Sequence, residues 1–255
     1  MTTAPNATLF SRESGVILHP TSLPGPFGIG DFGPAAHQWL DKLAEASQAI
    51  WQVLPMGPTG YGDSPYQALS AFATNPALLS PEALVGLGLL RDEDLFSAHH
   101  HENGAVDYSA IYPTKEALSR KAAERFDNLP PQAPLRTSFA EFCARNADWL
   151  EDYVLYAAIK ADQQLRPWTQ WPEPLRDREP DAIAAVAERL QPDMARRRLE
   201  QFLLDHQWQA IRSHAARHGI RIIGDLPIFV AHDSADVWVN RRLFQLNDDG
   251  SPKVV

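Results

Sequence analysis

The chain of 255 residues carries a net charge of −9, with 44% hydrophobic and 22% charged side chains. That balance suits a soluble globular protein with an ample core and argues against nucleic acid or anionic membrane as a main partner, since both need a basic face. Cys143 is the only cysteine, so an intrachain disulfide and a cysteine-rich zinc site are excluded.

Met1 to Phe10 lack a basic start and an apolar run, so no signal peptide is expected. No segment approaches the ~20 apolar residues that span a bilayer. A cytoplasmic enzyme acting on a neutral substrate is the expectation. After a polar lead-in to Ser14, the run Gly-Val-Ile-Leu-His at Gly15 to His19 fits a first buried strand. Pro20 to Gly33 is a loop of prolines and glycines, and Pro34 suits the first turn of a helix over Ala35 to Ser47. Trp39, Leu40, Leu43 and Ala44 line one face of that helix. Ile50 to Leu54 is a second strand, ended by Pro55, and the β-loop-α-β order implies a parallel pair.

Met56 to Asn75 contains Gly-Pro-Thr-Gly-Tyr-Gly-Asp-Ser-Pro-Tyr, which forbids helix and central strand and leaves a rigid loop offering Tyr61, Asp63, Ser64 and Tyr66. Its Gly-x-Gly is no dinucleotide fingerprint, because no third glycine follows and no helix opens there. Two readings stay open: a surface turn, or a sugar-binding loop whose aromatic faces stack on pyranose C–H groups. Pro81 to Asp193 lacks β-branched runs and reads as a helical insertion, with helices over Tyr112 to Phe126, Ser138 to Asn146 and Trp149 to Gln164. Cys143 is then a buried structural thiol. Pro167, Pro172, Pro174 and Pro180 predict a non-helical connection. His99, His100 and His101 are adjacent, cannot all face one ion from a regular element, and read as a solvated loop. The division is therefore 1–80, 81–192 and 193–255.

From Asp193 a long helix runs to His218, and Gly219 stops it. Ile220, Ile222 and Ile223 predict a third strand, buried on both faces, with Asp225 at its C-terminal end and Pro227 beyond. Asp225 is either a turn or capping carboxylate or an active-site group, since parallel α/β folds place their chemistry at that end. The following loop, Pro227 to Phe244, carries His232, Asp233, Asp236 and Trp238. Three such strands are how a (β/α)8 barrel begins, and a doubly wound sheet fits the same pattern.

Three stretches carry a resemblance: Gly15-Val-Ile-Leu-His-Pro-Thr-Ser-Leu-Pro-Gly-Pro-Phe-Gly-Ile-Gly-Asp, Trp51-Gln-Val-Leu-Pro-Met-Gly-Pro-Thr-Gly-Tyr-Gly-Asp-Ser-Pro-Tyr, and Gly224-Asp-Leu-Pro-Ile-Phe-Val-Ala-His-Asp-Ser-Ala-Asp-Val-Trp. Together they resemble the amylomaltases, the 4-α-glucanotransferases of glycoside hydrolase family 77. The resemblance runs from about Ser14 to Val255 and implies a TIM barrel with only its first three strands present. It also implies a helical subdomain between strands two and three. The implied activity moves α-1,4-glucan segments between maltooligosaccharides by a retaining double displacement. No metal or organic cofactor is implied. Carried over by motif, Asp225 resembles a supporting acidic residue beside the sugar at the cleavage point. Tyr66 resembles the aromatic platform under that sugar, with Ser64 a neighbouring hydrogen-bond donor. Tyr61 and Tyr108 resemble aromatic residues of a secondary glucan site. The family's nucleophile and acid/base fall on later strands, beyond Val255, and Asp233 and Asp236 read as capping or structural. The expectation is a chain inactive alone, complemented by a C-terminal half or by self-association. The alternative is a non-catalytic glucan-binding module.

Overall fold

The computed structural model describes residues 12–98 and 105–253. Strands β1 (Gly15–Ile17), β2 (Ile50–Gln52) and β3 (Arg221–Ile223) form one parallel sheet in the order β1-β2-β3. Val16, Trp51 and Ile222 are in register across it. The formal strands are shorter than the apolar runs suggest, but pairing continues: Leu18 N donates to Gln52 O at 3.0 Å and Val53 N to Ile223 O at 2.9 Å.

Helix α1 (Pro34–Glu45) connects β1 to β2 and buries Ala36, Leu40 and Leu43. Between β2 and β3 lie α2 (Pro81–Gly86), α3 (Asp92–Leu95), α4 (Tyr108–Asp127), α5 (Pro134–Arg145), α6 (Ala147–Asp162), α7 (Glu173–Arg176) and α8 (Pro180–Arg217). A short helix, α9 (Ala235–Val239), follows β3. Leu150, Tyr153, Val154, Ala157 and Ala158 of α6 are buried as their spacing predicts, and so are Leu155, Tyr156 and Ile159, because α8 and α9 both pack on this helix.

Three expectations need correction. β3 is not buried on both faces and β1 is not a buried strand, since Ile223 is 43% and Ile17 62% exposed. The face carrying Val16, Trp51 and Ile222 packs on the core, and the opposite face stays open among the described residues. The prolines after Gln164 do not abolish helix either. Pro180 sits in the first turn of α8, where its missing N–H costs nothing, and the 38-residue helix continues through Pro192. Residues 192 and 193, placed on either side of a division, are therefore neighbours in one helix. Cys143 is partly rather than fully buried, and that burial raises its thiol pKa. The His99–His101 run lies outside the described residues.

Two buried glutamines of α8 hold the chain that leaves the second strand. Gln201 accepts from Thr74 N at 2.8 Å and donates to Thr74 O at 2.9 Å, while Gln207 accepts from Ser80 N at 2.8 Å and donates to Ser80 O at 3.1 Å. An amide can satisfy both polar groups of one residue at once, which is why glutamine is tolerated in that core.

Asp31, in the loop after β1, is pinned by Lys115 of α4 at 2.7 Å and accepts from Gly33 N at 3.0 Å; Lys115 also donates to Leu79 O at 2.7 Å. Both side chains are buried, and burial pushes the carboxyl pKa up and the ammonium pKa down against their mutual attraction. Lys115→Met is expected to cost about 3–5 kcal/mol in urea unfolding, because it strands a buried carboxylate. The Asp31→Asn/Lys115→Met pair should recover part of that loss.

Candidate functional site

Because the strands are parallel and in register, their C-terminal ends share one edge of the sheet, and the loops after β1, β2 and β3 emerge there. His19 joins the first two loops. Its Nδ1 accepts from Thr21 N at 3.3 Å and lies 2.6 Å from Thr21 Oγ1, so Nε2 is the nitrogen that donates to Pro55 O at 3.3 Å. Burial lowers its pKa, which keeps the ring neutral for that bridge.

The loop after β2 folds back on itself. Leu69 N donates to Pro58 O at 2.8 Å, Gly60 N to Gln67 O at 2.9 Å, and Thr59 bridges to Ala68 in antiparallel fashion. A Cβ on Gly57 would lie 2.8 Å from the Ala68 Cβ, so only glycine permits this approach. A single 3-10 turn, Tyr61–Asp63, makes the tip, with Gly62 at φ 69° and Asp63 at φ 53°. The reversal leaves Tyr66 at the sheet edge, 44% exposed, and its hydroxyl donates to Asp225 Oδ2 at 2.7 Å. That bond joins residues 159 positions apart and raises the phenol pKa, since ionisation would place two negative charges together. Ser64 Oγ accepts from Tyr66 N at 3.4 Å.

The loops after β2 and β3 are also tied backbone to backbone. Ala235 N donates to Leu69 O at 2.9 Å, and Asp236 Oδ2 accepts from Ala71 N at 2.9 Å. Asp233 accepts from Lys160 at 2.6 Å, Tyr156 at 2.8 Å and Trp168 N at 3.2 Å, which fastens the same loop to the helical layer. These bonds give Asp233 and Asp236 structural work. His232 is held as well, with Nε2 2.8 Å from Gly250 O.

Tyr108 belongs to a second group. It opens α4, stacks on Tyr112 with ring centroids 5.7 Å apart, and hydrogen-bonds Thr21. Tyr112 Oη lies 2.8 Å from Thr59 Oγ1 and donates to Asn75 Oδ1 at 3.4 Å. Burial raises the pKa of both phenols. No described contact joins this pair to Tyr66 or Asp225. The side chain of Tyr61 lies outside what is described. His19 and Tyr112 are not singled out by sequence reading; the signal for Tyr112 was its place one helical turn after Tyr108.

A family model described as 4-alpha-glucanotransferase matches residues 18–252. The chain belongs to that family. It is 45% identical to the 4-alpha-glucanotransferase of Thermus thermophilus over 245 residues, which cover 96% of this chain and 48% of that protein. It is 43% identical to the Synechocystis enzyme of the same name, covering 94% of this chain and 48% of the relative. Among solved structures, the amylomaltase from Streptococcus agalactiae in complex with acarbose superposes with a TM-score of 0.88 at 33% identity, over 94% of this chain and 48% of that one. The amylomaltase from Corynebacterium glutamicum, at 20% identity and TM-score 0.64, shares the fold. This 4-alpha-glucanotransferase family member thus spans about half the length of the curated relatives it matches.

Replacing Asp225 by Asn removes the charge that opposes Tyr66 ionisation. In a tyrosine-labelled carbon NMR titration, D225N is expected to bring the Tyr66 pKa down toward its ordinary value and leave Tyr153 unmoved. An unchanged Tyr66 pKa would contradict the bond.

Proposed function

We propose that this chain supplies the donor-side sugar platform of a 4-α-glucanotransferase that moves α-1,4-glucan segments between maltooligosaccharides. The observation that carries the reading is the 2.7 Å bond from Tyr66 to Asp225 at the C-terminal edge of the parallel sheet. The exposed ring of Tyr66 offers a flat apolar face for a pyranose, and its hydroxyl fixes the Asp225 carboxylate beside it. Asp225 then hydrogen-bonds sugar hydroxyls as a supporting residue, and Ser64 adds a further polar contact. Tyr108, with Tyr61, serves a secondary glucan site.

The sheet is the first part of a (β/α)8 barrel, with the helices from α2 into α8 as a helical subdomain between strands two and three. The open face supports this, since Ile17 and Ile223 on the strands and Leu226, Ile228 and Phe229 beyond β3 are exposed, Ile228 at 95%. A complementary half, or a second copy, covers these residues. In the retaining mechanism a carboxylate attacks the anomeric carbon while an acid protonates the glycosidic oxygen, whose bond to that carbon breaks to release the 4-hydroxyl of the leaving sugar. A sugar hydroxyl then displaces the carboxylate, returning its proton to the same acid/base. On this reading Tyr66, Ser64 and Asp225 take neither role and serve binding.

The test is a maltotriose disproportionation assay with a maltoheptaose titration followed by tryptophan fluorescence. The 255-residue chain is expected to release no glucose and yet to bind, with Tyr66→Ala weakening binding roughly three- to tenfold. Glucose release by this chain alone, or binding indifferent to Tyr66→Ala, would overturn the proposal. Binding that gains no turnover from a complementary half would favour a glucan-binding module instead.

A further inference from the structure

We propose that α1 and α8 carry a divalent transition-metal site of the zinc class, with Asp41, His214 and His218 as ligands and His37 beside them. One ligand atom from each of the three lies within 4.8 Å of the other two. His214 Nε2 is 2.7 Å and His218 Nε2 3.2 Å from the same oxygen, Asp41 Oδ1. The fourth imidazole, His37, has its ring centroid 5.0 Å from that of His214, and His214 lies 4.8 Å from His218.

The pattern is the one an interhelical clamp requires. His37 and Asp41 are one turn apart on α1, and His214 and His218 one turn apart at the end of α8, so each helix presents two donors on one face. Imidazole nitrogens with one carboxylate select zinc-class ions over magnesium and calcium, which need oxygen ligands. The end of α8 also favours a cation, because the last carbonyls leave partial negative charge there. Access is open, as Asp41 is 45% and His218 36% exposed at the side chain.

The charged group set against the site is Arg217. It is exposed, and its Nη2 donates to His214 Nδ1 at 3.1 Å, which leaves the His214 proton on Nε2, facing Asp41. Metal binding through Nε2 moves that proton to Nδ1, so Arg217 must swing into solvent. Asp41 then changes from hydrogen-bond acceptor to ligand through the oxygen that already faces both imidazoles. His37, half-buried on the same face of α1 as Asp41 and against the His214 ring, is placed to offer a nitrogen for a fourth position. The cluster lies at the end of α8, directly before β3, and so at the sheet end opposite the Tyr66–Asp225 edge. The bound ion would staple α1 to α8, a structural rather than a catalytic role.

The experiment is Zn2+ titration by calorimetry on the tag-free chain, with thermal unfolding read alongside. One Zn2+ per chain is expected, with a raised Tm and no response to Mg2+. His214→Asn and His218→Asn should each weaken binding at least tenfold, and Arg217→Gln should tighten it. Three further histidines, His99, His100 and His101, are controlled by a triple change to Asn, which should leave the affinity unchanged. As a readout that needs no variant, Ni2+ added to the native chain should broaden the NMR ring signals of His37, His214 and His218 before that of His206. Zn2+ binding lost in the His99–His101 variant, binding unaffected by His214→Asn, or Ni2+ broadening centred elsewhere would overturn the site, as would no binding at micromolar Zn2+.

Discussion

The whole arrangement depends on the parallel register that sets Trp51 between Val16 and Ile222. Trp51 is fully buried, and its indole donates to Leu18 O at 2.8 Å, beyond the last formal residue of β1. A large ring that must also place its N–H admits few positions. It therefore fixes the sheet's depth against the core and ties the outgoing end of one strand to the body of the next. A slip of one residue would turn Trp51 to the open face. With the register fixed, the ends of β1, β2 and β3 stand level, and their loops meet.

Level strand ends alone do not make a site, because loops of this length have much freedom to lose. Here that freedom is removed in advance. His19 bridges to Pro55, the reversal over 57–69 is stitched by its own backbone, and Gln201 and Gln207 fasten its exit to α8. From the other side Asp233 and Asp236 hold the segment after β3. The Tyr66–Asp225 bond is thus made between two braced loops, so an exposed hydrogen bond, worth little by itself, can keep its geometry. The helical layer contributes by bracing: Lys160 and Tyr156 of α6 hold Asp233, and Lys115 of α4 holds Asp31.

Much of this was legible in the chain. The β-branched runs located the strands, the glycines and prolines of 57–66 marked a rigid loop, and the long motifs pointed to Tyr66, Ser64 and Asp225. What was hidden has physical causes. An apolar strand looks the same whether its second face is covered within the chain or left open, so Ile17 and Ile223 read as buried. Proline after a break reads as a breaker, yet at the first turn of α8 Pro180 lacks nothing the helix needs. Pairings across the fold, such as Asp31 with Lys115 or Asp41 with His214, join residues whose nearness only the packing creates. The i, i+4 spacing of His37 and Asp41, and of His214 and His218, was visible, but nothing in the sequence says that those two helix faces meet.

The central claim is that two loops, brought level by the sheet, act as one glucan-recognising unit through Tyr66 and Asp225. The most direct measurement is a double-mutant cycle for maltooligosaccharide affinity with Tyr66→Phe, Asp225→Asn and the pair. The account predicts a coupling of about 0.5–3 kcal/mol, the double variant losing less than the sum of the single ones. Additive losses, within about 0.5 kcal/mol, would mean that the two residues act separately and that their bond does not build the site.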